Sequence, residues 1–320
     1  MGGKIMGIKV LSLCDGMSCG QIALKKLGIK VDKYYSAEIK QIAKQVTMEN
    51  FPDTIQIGDV TKIKYVDGAL FTEIGEFKEK FDLVVFGSPC QTFSIACKTD
   101  KRIGLDDNFK SGLFFECHRI LKEVSPKYFL MENVSSMKKD NEELITKFMG
   151  VNPIKINASL VLPCLRNRLY WTNVKNIIPI TEKEYCLNDI LEDGWSDRDK
   201  ARTLLVSDSR PLTTPIKMFH RYYSTEFTTL IFKSKEHFEE CEKEYLRLSD
   251  GKRKITAKEL DGYIGNIFDG VRYMTKTERE KCHGIPIGYT KSLTENQAAN
   301  VIGDGWAIDV IAHIFKNMEA

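Results

Sequence analysis

The thiol of Cys90, the carboxyl of Glu132 and the guanidinium groups of Arg166 and Arg168 are side chains that could act together on one molecule. A thiolate adds to an electron-poor ring carbon, a carboxylic acid protonates or hydrogen-bonds a ring nitrogen, and an arginine holds an exocyclic oxygen. Such chemistry needs a carboxyl that still donates near neutral pH, which burial of Glu132 would supply. It also needs a thiolate, which nearby positive charge favours. Cys90 lies in Gly87-Ser88-Pro89-Cys90-Gln91-Thr92-Phe93-Ser94, directly after the apolar run Phe81-Asp82-Leu83-Val84-Val85-Phe86. Pro89 stiffens the chain before the cysteine and Gly87 lets the backbone turn. Taken alone, Cys90 reads equally as a small buried hydrophobe.

The elements that would position these groups alternate between strand and helix. The run 81–86 has the character of a buried parallel strand, whose carboxyl end is where α/β proteins place ligands. Upstream, Gly7 to Leu13 reads as a first strand, Asp15-Gly16-Met17-Ser18-Cys19-Gly20 as a small-residue turn, and Gln21 to Leu27 as a helix. That order suits a nucleotide crevice, although the spacing is not that of a dinucleotide fingerprint. A second strand, Lys33 to Ala37, ends on Glu38, which suits a pair of ribose hydroxyls or serves as a helix cap or surface carboxylate. Ile55 to Val60 offers a third strand with Asp59 at its carboxyl end. Lys98 to Gly112 lacks apolar periodicity and reads as a long functional loop. Leu113 to Val124 is helical by spacing, Tyr128 to Met131 is a strand ending on Glu132-Asn133-Val134, and Leu169 to Val174 is another. Alternation of this kind would bring Cys90, Glu132 and Arg166/Arg168 to one crevice.

Past Ile180 the rhythm fades. Arg202 to Val206 and Thr228 to Phe232 look like isolated strands, and Glu236 to Leu248 like a charged helix. Thr277 could cap a helix that Gly284-Ile285-Pro286 ends, and a last helix runs to Phe315.

With 320 residues and a net charge of +3, the chain can bury a large core and carries no strong basic excess. Its nine cysteines form no C-x-x-C pair, so neither a zinc site nor a disulfide framework is expected, and a reducing setting fits. No signal-peptide core or membrane-length apolar run is present, which points to a cytoplasmic protein.

In order and spacing, these motifs resemble those of the S-adenosylmethionine-dependent cytosine-5 DNA methyltransferases. Ser88-Pro89-Cys90-Gln91 resembles the family's nucleophile loop, Glu132-Asn133-Val134 its Glu-Asn-Val, and Arg166-Asn167-Arg168 its Arg-x-Arg. The resemblance implies a Rossmann-like α/β methyltransferase domain with a mostly parallel sheet, and a smaller irregular target-recognition domain. It implies catalysis by Cys90, Glu132, Arg166 and Arg168. The cofactor would meet Leu13, Cys14, Asp15, Gly16 and Met17 in its turn, Glu38 and Ile39 at the ribose, and Asp59 and Val60 at the adenine. Ser88, Pro89 and Trp306 would complete that site. Gln91, Ser94, Asn133, Arg202 and Arg210 would contact double-stranded DNA, with Gln91 to Lys110 closing as a lid.

The domains implied are 1–184 with 292–320 for catalysis, 185–270 for target recognition and 271–291 as a connection. Motif detail in Arg168 to Asn173 and Gly303-Asp304-Gly305-Trp306 resembles the animal de novo branch, in a monomeric stand-alone enzyme of viral or bacterial type that needs no metal. Cys14, Cys164 and Asp304 depart from the family pattern. Two other functions compete: an RNA cytosine-5 methyltransferase, and a catalytically silent DNA-binding relative.

Overall fold

The computed structural model describes residues 7–88, 112–204, 214–250, 255–256 and 258–318. The chain divides into two units, one of Met1–Asn157, Asn167–Ile180 and Gly305–Ala320, the other of Ala158–Arg166 and Thr181–Asp304.

The first unit is built on a seven-stranded sheet. In chain order its strands are β1 (Ile8–Leu13), β2 (Val31–Ala37), β3 (Ile55–Gln56), β7 (Leu83–Phe86), β8 (Tyr128–Val134), β9 (Ile154–Asn157) and β10 (Asn167–Thr172). Their spatial order is β3-β2-β1-β7-β8-β10-β9. The first five run parallel, and β10 is antiparallel to both neighbours. A second, three-stranded antiparallel sheet, β4 (Lys64–Val66), β5 (Ala69–Thr72) and β6 (Gly75–Lys78), is inserted between β3 and β7. This is a mixed α/β, Rossmann-like architecture.

Burial explains the central strands. All four residues of β7 are buried, as expected of a strand covered on both faces. The core under the sheet gathers Leu11, Leu13, Val84, Phe86, Met131 and Trp171 with Phe114, Cys117 and Ile120 of α3 (Leu113–Val124). The 113–124 spacing predicts that helix with its observed ends. The other helices of this unit are α1 (Cys19–Lys26), α2 (Gln41–Asn50), α4 (Lys139–Met149) and α9 (Ile308–Phe315), and α1 meets α9 through the Lys26–Asp309 ion pair at 2.7 Å.

Two expectations are corrected here. The third strand stops at Gln56, and Asp59 instead caps a 3₁₀ turn, accepting the Thr61 N–H at 2.9 Å. A short acidic side chain bonding the N–H two residues on competes with strand pairing. Glu132, Asn133 and Val134 end β8 as expected, with Val134 paired to Arg168 and Glu132 to Tyr170. Gly87 does not have the left-handed φ of a turn glycine. A β-carbon there would lie 2.9 Å from Trp306 Nε1, so the position is glycine because the indole is too close.

The second unit contains α5 (Pro215–Thr225), α6 (Lys235–Leu248), α7 (Lys276–His283) and α8 (Glu295–Asp304). Phe219, Phe232, Tyr245 and Phe268 form the centre of its core. The strand expected at 228–232 is reduced to single bridges, Phe232 with Trp195 and Ile231 with Arg272, while Arg202 to Leu204 form no strand and residues 205–206 lie outside the described residues. Helix α7 begins two residues earlier than expected, because Thr275, not Thr277, caps it. The Thr275 hydroxyl accepts the Glu278 N–H at 3.2 Å, and the Glu278 carboxylate accepts the Thr275 N–H at 2.9 Å. Among the described residues, no helix is long and apolar enough to cross a membrane, and no cluster of His, Cys, Asp or Glu is arranged to hold a metal.

Candidate active site

The carboxyl ends of β1, β2, β7 and β8 and the amino end of β10 share one edge of the sheet, because β10 runs the other way. That reversal brings Arg168, near the start of β10, beside Glu132, near the end of β8. Arg168 lies opposite Val134, so it is the diagonal same-face neighbour of Glu132 across the strand pair. The Arg168 Nε stands 2.8 Å from Glu132 Oε1, and both side chains are about nine-tenths buried. A buried carboxylate and guanidinium at that distance offer a donor fork and an acceptor to a ligand that enters between them.

Asn133 faces the opposite side of β8 and is buried. Its Nδ2 donates to Ser88 Oγ at 3.2 Å, and its Oδ1 accepts the Val134 N–H at 2.8 Å. Asn133 ties Ser88 to β8. Trp306 is buried, its backbone N–H donating to Cys19 Sγ at 3.2 Å and its indole lying over Gly87. Glu132 Oε2 is also 3.4 Å from the position of a β-carbon on Gly87, so glycine, indole and carboxylate occupy one neighbourhood.

The turn after β1 is the second feature. Cys14, Gly16 and Ser18 have φ of 55°, 60° and 60°, so every other residue is left-handed. For Cys14 and Ser18 that conformation is costly and must be held by surrounding bonds. Asp15 does the holding. Its carboxylate accepts from Ser12 Oγ at 2.5 Å, Tyr34 OH at 2.8 Å, Ser36 Oγ at 2.8 Å, and the Ser18 hydroxyl. Burial pushes the Asp15 carboxyl above its ordinary range, and the four hydroxyls oppose that shift. Asp15 thus ties the turn to β1 and β2. Tyr34, its partner, is pushed well up, by burial first and by the Asp15 charge second.

Glu38 closes the turn from the other side. Oε2 accepts the Gly16 N–H at 2.8 Å, while Oε1 accepts the Ile39 and Lys40 N–H groups at 2.8 Å each. Three of the roughly four acceptor positions of a carboxylate are filled, leaving about one for a hydroxyl donor. A β-carbon on Gly16 would meet no atom within 4 Å, and the Ile39 side chain is 63% exposed beside Glu38. Leu13 and Met17 are fully buried and Val60 nearly so, which leaves them backbone contacts. Beneath Cys14, the Cys117 thiol is pushed well up by its hydrogen bond with Cys14 and by burial, and is chemically quiet.

The structure brings Glu132 and Arg168 together but assigns Arg166 to the second unit. There it is buried, with Nη2 donating to the Gly303 carbonyl at 3.1 Å and its own carbonyl accepting from Ala158. Arg202 is also in that unit, its backbone N–H on Thr229 Oγ1 at 2.8 Å. Pro89, Cys90, Gln91, Ser94, Arg210 and the proposed lid lie outside the described residues. Sequence reasoning missed Ser12, Tyr34 and Ser36, three of the four hydroxyl donors to Asp15, and Cys19, the acceptor for Trp306. The only signal for the three hydroxyls is a strand alternation that hides polar atoms in an otherwise apolar core, and Cys19, at the start of α1, carries none.

Residues 8–151 match the model of the C-5 cytosine-specific DNA methylase family. The Type II methyltransferase M1.ScrFI of Lactococcus lactis subsp. cremoris is 40% identical over 90% of this chain and 72% of its own length. The chain belongs to that family. The Type II methyltransferase M.NgoBV of Neisseria gonorrhoeae is 35% identical over 45% of this chain, a match that spans 33% of the relative's length. Among solved structures, the Entamoeba histolytica methyltransferase EhMeth superposes with a TM-score of 0.64 at 17% identity, covering 98% of this chain and all of that one, and shares its fold. Family and fold imply S-adenosylmethionine as cofactor, and the turn fits it. Glu38 retains an acceptor for ribose, Gly16 allows close approach to the backbone, Ile39 offers an apolar edge, and Gly87 with Trp306 makes a flat wall.

Proposed function

We propose that this chain methylates C5 of cytosine in double-stranded DNA. The observation that carries the reading is the buried Glu132–Arg168 pair, held beside Gly87 and Ser88 two residues before Cys90. A cytosine turned out of the helix, at a cost of a few kcal/mol, offers N3 and O2 to these side chains. Arg168 donates to O2, and Glu132 hydrogen-bonds and protonates N3. The Cys90 thiolate forms a bond to C6, and the electron pair of the C5–C6 bond becomes available at C5. When bound, S-adenosylmethionine supplies an electrophilic methyl group. Removal of the C5 proton by a base, with return of the N3 proton to Glu132, then restores the C5–C6 double bond and expels the thiolate. Arg168, held in place by Glu132 before cytosine enters, needs little rearrangement to bind it.

Glu38, Ile39, Gly16 and Trp306 would hold the cofactor, with Asp15 positioning the turn and Asp59 at the adenine end. Residues 185–270 would recognise the target, with Arg202 and Arg210 toward DNA, Gln91 and Ser94 on the flipped nucleotide, and 1–184 with 292–320 as the catalytic part. Arg166 would support the start of β10. The kinship with the animal de novo branch rests on Arg168 to Asn173 and Gly303 to Trp306 alone.

The test is transfer of tritium from methyl-labelled S-adenosylmethionine to duplex DNA, with tRNA as the parallel acceptor. Label in 5-methylcytosine of DNA, its loss in Cys90→Ala, and an adduct with 5-fluorocytosine DNA that survives detergent are expected. Label in tRNA alone overturns the substrate, and full turnover by Cys90→Ala overturns the mechanism.

A further inference from the structure

The second unit contains a cavity of about 420 Å³ that none of the steps above uses. Arg198 and Arg202 enter it from the segment before α5, Tyr222 and Tyr223 from α5, and Glu242 and Leu246 from α6. Glu226, the residue that ends α5, completes it. The Arg198 guanidinium lies over the Tyr222 ring, 4.9 Å from its centre. The Tyr222 hydroxyl donates to the Asp197 carboxylate, which anchors the ring. Among the described residues, the buried Nε of Arg198 and of Arg202 both lack a hydrogen-bond acceptor. The lining itself, two arginines and two tyrosines beside two carboxylates, suits a flat occupant that carries both acceptors and donors. Burial, and then the neighbouring Arg198 charge, disfavour the charged form of Arg202.

Charge decides what that occupant is. A phosphate would be held by two guanidiniums but would face Glu226 and Glu242 on the walls and Asp197 behind Tyr222. Two cations against three carboxylates disfavour an anion. A neutral planar group with acceptors on one edge and donors on the next matches both sets, and the tyrosines and stacked arginine supply the faces. Guanine is the base with that pattern: O6 and N7 accept from an arginine fork, and N1–H with the 2-amino group donates to a carboxylate. Adenine puts its amino donor beside N7, cytosine has a single donor group, and thymine has no amino group.

We propose that this cavity binds a guanine base, with Arg198 or Arg202 on O6 and N7 and Glu242 on N1–H and the 2-amino group. The base comes either from an unstacked position of a nucleic acid strand or from a free guanine nucleotide. Either source uses the same contacts. The inference does not rest on methyl transfer, and it is read by binding in the absence of cofactor.

The experiment is calorimetric titration of the full chain with GMP, AMP, and two single-stranded DNA oligonucleotides that differ by one guanine replaced with 7-deazaguanine. GMP binding at least tenfold tighter than AMP, or a loss of about tenfold on removing N7 from the oligonucleotide, is expected. Glu242→Gln and Arg202→Gln should each weaken that binding about tenfold while the thermal transition stays in place. Binding of GMP alone assigns the site to a free nucleotide, and a response of the oligonucleotide alone assigns it to a nucleic acid strand. If Arg202→Gln does not fold, Glu242→Gln, a change on the half-exposed face of α6, carries the result. Discrimination below threefold in both ligand pairs, or affinities that neither variant changes, overturns the proposal, whatever the methylation assay shows.

Discussion

Replacing Gly87 by alanine tests the packing on which the candidate site depends. The added β-carbon would lie 2.9 Å from Trp306 Nε1, 3.3 Å from Trp306 Cζ2 and 3.4 Å from Glu132 Oε2. A comfortable contact is about 3.5–4.0 Å, so the methyl overlaps the indole by about 0.6 Å or more. Trp306 is 7% exposed and its backbone is tied to Cys19, so the ring has little room to yield. Overpacking of this kind costs about 1–3 kcal/mol. For a unit of this size that corresponds to a fall of about 2–12 °C in Tm. Trp306→Phe removes the atoms that meet the methyl, so in Gly87→Ala/Trp306→Phe most of the alanine penalty should vanish. The two sites should couple by about 1 kcal/mol in a double-mutant cycle. Urea unfolding of the four proteins measures this, and turnover follows in parallel because any shift of the chain also displaces Glu132. An unchanged urea midpoint for Gly87→Ala, or strict additivity with Trp306→Phe, would refute the close-approach argument.

Asp15 predicts a pH effect of known sign. Its carboxyl is pushed up by burial, so the folded protein keeps a proton that the unfolded chain has released. The resulting stability is complete below the unfolded value of about 3.9 and is lost as pH rises through the folded value. Asp15→Asn, uncharged throughout, should flatten that slope in urea unfolding above about pH 4, and a slope identical to wild type counts against the network. Glu38→Gln should weaken cofactor binding about tenfold in titration, with little change in DNA affinity, because Gly16 and the start of α2 lose their shared carboxylate. Glu132→Gln should lower turnover about 10²–10⁴-fold in the tritium assay while the protein stays folded. Thr275→Ala should cost about 1 kcal/mol in the same unfolding assay through loss of the α7 cap.

The parallel strands and the residues at their ends were legible because burial on both faces leaves an unbroken apolar run, as in Leu83 to Phe86. The pairing of Glu132 with Arg168 was legible as order along the chain but not as geometry, since it depends on the reversed direction of β10. The left-handed Cys14 and Ser18 were hidden, because neither residue type advertises positive φ. The small β4–β6 sheet was overlooked among lysines and glutamates, although Asp67-Gly68, with φ of 50° and 78°, is a hairpin-turn pair. The second unit gave least. Ile231 and Phe232 find partners some forty positions away in each direction, at Trp195 and Arg272, and no local period encodes such bridges.

The antiparallel course of β10 has an evolutionary consequence. Residues 158–166 leave the sheet and return to it just before Asn167, and side chains along a strand alternate between faces. If an insertion or deletion at that junction were absorbed by slippage of one residue, Arg168 would move to the wrong side and a neighbour would face Glu132 instead. The detour is therefore free to change its composition through mutation, while drift in its length is tolerated only where the loop itself takes up the slack.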